Sequence, residues 1–174
     1  MNNKYMIFIL IVVSIFVGCD DFKEETYSMT SIDTSICNQL LAADSVAVKV
    51  NAIGLDTSFT SMADTISYVA SLDSSQIEVS SNPWSVSLSS DTTFLNLSST
   101  GEILIATNGI VDLTLYSNDG QILLPESQSI DLSTISDCSE MKTRYLFNLS
   151  SDTHLLRMTE SNSQETLFVV MNNE

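Results

Sequence analysis

From Asp44 to Met171 the chain is a succession of short runs in which apolar and polar residues alternate, and this period decides what it can fold into. Val46, Val48 and Val50 share one face of an extended segment. Similar runs follow at Ile66–Ala70, Gln76–Val79, Trp84–Leu88, Phe94–Leu97, Glu102–Thr107 and Ile110–Tyr116, then at Gln121–Leu124, Tyr145–Leu149, Leu155–Met158 and Leu167–Met171. Within one of them Val111, Leu113 and Leu115 point one way, and Asp112, Thr114 and Tyr116 the other. Turn residues separate the runs: Asn82-Pro83 breaks the chain, Asn108-Gly109 is a strong short hairpin signal, and Asn118-Asp119-Gly120 marks another tight turn. Strands of this length, spaced about every ten residues, predict an all-β fold. The expected architecture is a single antiparallel β-sandwich, jelly-roll or Ig-like, over residues 34–174. Only one helix is expected, capped by Asp33 or Thr34 and carrying Ile36, Cys37, Leu40 and Leu41 on its apolar face.

Ahead of this region the amino terminus and Lys4 form a small positive patch, followed by an almost wholly apolar run from Tyr5 to Val17. At helical rise that run reaches roughly 20 Å, short of a bilayer core of about 30 Å, and it ends in the small residue Gly18. These are the parts of a signal peptide over residues 1–18. A cysteine directly after Gly18 resembles the bacterial lipoprotein signal, in which Cys19 is acylated with palmitate-type chains, cleaved from Gly18 and acylated again at its new amino group. Phe16 departs from the Leu usual in that family; a plain secretory signal and an N-terminal anchor helix are the other readings. Residues 19–33, opening with Asp20-Asp21-Phe22-Lys23-Glu24-Glu25, read as a polar tether. Their acidity resembles the surface-export signal of lipoproteins in some Gram-negative lineages, whereas in others an Asp after the cysteine resembles an inner-membrane retention signal. The longer acidic run favours an outer-membrane, lipid-anchored, surface-exposed protein.

Loss of residues 1–18 leaves five basic residues against 22 acidic ones, a formal charge near −17. Such a field repels phosphate backbones, so nucleic acid is not an expected partner, and membrane attachment falls to the acyl chains on Cys19. The hydrophobic content of 44% is that of a folded chain. With Cys19 consumed by lipid, Cys37 and Cys138 are the remaining thiols, 101 residues apart. An oxidising compartment favours a disulfide between them, and neither sits in a zinc or redox motif.

Residues 111–120, Val-Asp-Leu-Thr-Leu-Tyr-Ser-Asn-Asp-Gly, resemble the central strand and turn of bacterial pre-peptidase C-terminal domains. The runs at Tyr145–Leu149, Leu155–Met158 and Thr166–Met171 take the places of that family's later strands, so the likeness spans residues 91–171. It departs at Asp152-Thr153-His154, where the family carries Gly-Thr-Tyr. The resemblance implies a secreted accessory β-sandwich that binds or supports rather than catalyses.

The chemistry-bearing residues are sparse. His154 is the single histidine; a Ser–His–Asp site would need it, no nucleophile elbow accompanies it, and its place beside a turn predicts a surface or rim position. Asp112 and Asp119 supply oxygen ligands of the type calcium prefers but lack the loop spacing for it, so neither metal nor cofactor is expected. Trp84 is a candidate stacking platform for a glycan, against the alternative of core packing. Asp44-Ser45-Val46, Asp64-Thr65-Ile66 and Asp91-Thr92-Thr93 resemble short acceptor motifs for O-glycosylation of exported proteins. The expected function is a non-catalytic binding or adhesion module with a glycan or envelope-protein partner. The alternative is a structural or accessory subunit of an envelope assembly; an enzyme is not expected.

Overall fold

The structure, a computed structural model, describes residues 29–54, 59, 61–87, 92–126, 137–160 and 165–173. The apolar run, Cys19 and the acidic segment after it lie outside the described residues.

Among the described residues ten strands build two facing sheets, each five strands wide. In the first sheet the order is β1 (Val48–Asn51), β3 (Trp84–Ser87), β10 (Glu165–Asn172), β5 (Gly101–Thr107) and β8 (Thr143–Leu149). The second runs β2 (Gln76–Glu78), β4 (Thr92–Ser98), β9 (Thr153–Glu160), β6 (Val111–Tyr116) and β7 (Ile122–Leu123). The β-sandwich expected from the alternation is therefore present, but it is mixed rather than antiparallel. β1 joins β3 in parallel and β2 joins β4 in parallel; every other pairing is antiparallel.

Between the sheets lies a core that includes Ile77, Leu95, Leu97, Ile103, Ile105, Leu115, Phe147, Leu156, Phe168 and Val170. Burying side chains of this size removes apolar surface worth roughly 1.5–3 kcal/mol each, opposed by the entropy of ordering the chain. The outer faces are not left to solvent, because each sheet carries a helix on its back. Helix α1 (Ser31–Val46) covers the first sheet, where Ile36 and Leu40 pack with Leu104, Ala106 and Val169. Helix α2 (Met62–Ala70) covers the second, where Ile66 and Val69 pack with Tyr116 and Leu155. This explains the unbroken apolar stretch Ile103-Leu104-Ile105-Ala106 in β5: alternate residues face the sandwich core and the underside of α1, so both faces are buried.

Three sequence expectations are corrected. Ile66–Ala70 is helical rather than extended; Ser61 caps α2 through Asp64 N–H at 3.2 Å, and Ile66 and Val69 fall on one helical face. Asn108-Gly109 does not close a hairpin, since β5 and β6 belong to different sheets. Asn108 instead extends the β10 pairing, its N–H reaching Leu167 O at 3.2 Å while Leu167 N–H reaches its Oδ1 at 2.8 Å. The turn at Asn118-Asp119-Gly120 does join an antiparallel pair, β6 and β7, with Gly120 at φ 83°. Third, α1 opens ahead of the expected cap. Thr30 is its N-cap, and Asp33 completes a capping box: its Oδ2 accepts from Thr30 N–H at 2.9 Å, and Thr30 Oγ1 accepts from Asp33 N–H at 3.2 Å. The other Asp33 oxygen accepts from Arg144 Nε at 2.7 Å, a pair sealed between α1 and β8.

Candidate functional site

Helix α1 crosses the back of the first sheet from one edge to the other. Its first turn is tied to β8 through Asp33 and Arg144, its middle reaches β10 through Gln39 Nε2 and Met171 Sδ at 3.4 Å, and after Ala47 the chain drops into the far edge strand β1. There the helix ends in small residues. Ala43 and Ala47, one turn apart, are too short to fill the space between helix and sheet, and a cavity of about 450 Å³ remains.

The floor of this cavity is a single row of register partners. Lys49 on β1 sits beside Ser85 on β3, Ser85 beside Leu167 on β10, and Leu167 is hydrogen-bonded to Asn108 at the end of β5. Glu165, two residues before Leu167 and so on the same face, forms the rim, and Ser85 Oγ donates to its carboxylate. Lys49 has no carboxylate at ion-pair distance among the described residues, and Glu165 has no cation. Asn108 spends Oδ1 on Leu167 and keeps both Nδ2 hydrogens. Among the described residues the cavity thus combines an apolar wall with one exposed ammonium, one exposed carboxylate and an amide donor.

The residues singled out by sequence lie elsewhere. Cys37 and Cys138 form a disulfide with their Cα atoms 6.0 Å apart, locking the second turn of α1 to the segment before β8. Trp84 occupies the opposite face of β3 from Ser85, is half-buried against the sandwich core, and donates Nε1–H to Glu78 O at 3.0 Å. His154 is a correction: only 1% exposed, it lies on β9 opposite Leu97 of β4 and faces the inter-sheet core, with Nε2 3.2 Å from Ser151 Oγ. Burial pushes its pKa below the ordinary value of 6.5, while the backbone at Leu97 and the Asp152 charge pull the other way. Asp119 sits in the β6–β7 turn, where the Ser117 hydroxyl holds its carboxyl below the usual range; Asp112 is exposed on β6. Among the described residues no three His, Cys, Asp or Glu side chains come together to hold a metal ion. Of the three O-glycosylation-like motifs, Thr65 is buried in α2 with its hydroxyl donated to Ser61 O, Ser45 falls in the last turn of α1, and Thr92 opens β4.

Lys49, Ser85 and Glu165 carry no motif, Asn108 carries only a turn signal, and the four were not legible as a site. The one signal was scarcity: in so acidic a chain, a lysine on the polar side of a valine stripe is a rare charge. Comparison with protein-family models, with curated proteins and with solved structures finds no significant match for this chain.

Proposed function

We infer that this chain is a lipoprotein, anchored by acyl chains on Cys19, displayed on the outer surface of the outer membrane, and acting as a non-catalytic binding module. The observation that carries the binding role is the cavity under the C-terminal end of α1, where Lys49 and Glu165 share one chamber without pairing. Lone opposite charges beside apolar wall are what a small-molecule site needs to fix orientation. The likeness of residues 91–171 to pre-peptidase C-terminal domains points towards support rather than catalysis. Residues 1–18 serve as signal peptide and the acidic segment after Cys19 as tether and export signal.

The anchor has a direct test. Cys19→Ser should abolish incorporation of a labelled fatty acid and release the protein from the membrane fraction, and protease added to intact cells should remove the wild-type domain. Retention of label in the variant overturns the lipoprotein reading, and full protection of the wild type until lysis overturns surface display.

The second reading, an accessory subunit of an envelope assembly, draws on Ile122 and Leu124, which are 58% and 81% exposed beside the two-residue edge strand β7. Ile110 lies at the far end of β6 and Leu41 on the helix behind the first sheet, so neither extends that patch.

A further inference from the structure

We propose that the cavity between α1 and the first sheet binds a small zwitterion, a molecule carrying one ammonium and one carboxylate such as an amino acid or a dipeptide. This rests on the binding-module reading and names the ligand class for the same site.

The argument runs through the classes of charge. The chain carries a formal charge of −16, so an anionic ligand meets a repulsive field. A purely cationic ligand would satisfy Glu165 but would set its charge against Lys49 in the same chamber. A neutral ligand such as a sugar would pair with neither charge. A zwitterion alone answers both groups. Its ammonium meets Glu165, one of whose oxygens is already fixed by Ser85; its carboxylate meets Lys49 and the Nδ2 hydrogens of Asn108. Its side chain or Cα then lies against Ala43, Ala47 and Leu167. Because Lys49 and Glu165 stand beyond ion-pair reach of each other, the ligand spans a gap rather than breaking a bond. A volume of about 450 Å³ lies in the range of small-molecule sites, roughly 300–1,000 Å³, and leaves room for two residues rather than one.

The position suits capture from solution. The chain enters α1 at the β8 edge, and the cavity lies at the β1 edge, across the width of the sheet.

The test uses the full-length protein in mild detergent, titrated calorimetrically with glycine, Ala-Ala, acetate, methylammonium and glucose. Ala-Ala is expected to bind, with acetate and methylammonium at least tenfold weaker. Lys49→Met and Glu165→Gln should each weaken Ala-Ala at least tenfold while leaving the thermal midpoint of the empty protein unchanged. The exchanged pair, Lys49→Glu with Glu165→Lys, should recover part of the loss. If glucose binds and the two substitutions abolish that binding, the cavity is a site but the zwitterion assignment is wrong. If no probe gives heat at millimolar concentration, both the ligand class and the cavity as a site for free small molecules are overturned.

Discussion

Asp33 and Arg144 are both almost fully buried, and each carries a charge into a region otherwise lined by Ile36, Leu104 and Val169. Such a pair adds little net stability when intact, yet removing one member strands the other charge away from water. Arg144→Met should therefore lower the unfolding free energy by about 3–5 kcal/mol, whereas replacing both residues with apolar ones should recover only part of that loss, because Asp33 also closes the capping box with Thr30. Urea unfolding followed on Trp84, the single tryptophan, reads both variants. His154 makes a different prediction. Its pKa in the fold lies below the unfolded value of 6.5, so in the window between them the unfolded chain binds more protons. Stability should then fall as pH drops below about 6.5, and His154→Gln should flatten that fall relative to the wild type. Neither role was readable from residue type. A lone histidine next to a turn has the composition of a rim residue, and its inward direction is set by the β4–β9 register.

At the scale of elements, the strands were legible and the helices less so. Short runs, alternating in β6 and apolar on both faces in β5 and β10, marked β4, β5, β6, β8, β9 and β10 close to their observed bounds. Helix α2 was misread because β-branched and aromatic residues fill it, and over nine residues the two periods are hard to separate. Its signal was the Ser61-x-x-Asp64 start, a cap rather than a pattern. Asn108-Gly109 misled for the opposite reason: sound turn chemistry was overridden by pairing with β10. Helix α1 is secured by its cap, the Arg144 pair and the Cys37–Cys138 disulfide. Non-reducing alkylation should find no free thiol at either position. Reduction, which frees a loop of 101 residues, should lower stability by roughly 4–5 kcal/mol in the chain-entropy account. Two alkylated cysteines in the untreated native protein would refute the bond.

Across the whole molecule, the chain shuttles between sheets instead of completing one and then the other. Helix α1 and β1 supply the back and one edge of the first sheet, and α2 and β2 do the same for the second. From β3 onward the strands alternate between sheets with one exception, the β6–β7 pair. No local pattern encodes this order, which is why the sandwich was readable from sequence and the parallel edges were not. The candidate site follows the same logic: Lys49, Ser85, Asn108 and Glu165 become neighbours only once four strands far apart in the chain lie side by side.

One consequence of that order concerns time rather than space. β9 and β10 come last of the ten strands in the chain, and each is the middle strand of its sheet. Until β9 and β10 have emerged, the described strands that precede them lack their central partners: β3 has no β10, β4 has no β9, and neither sheet can close. Contacts of such sequence separation form slowly and cooperatively. Pairs such as β5–β8 and β6–β7 can form earlier, but neither sheet becomes continuous until its last strand in chain order is in place.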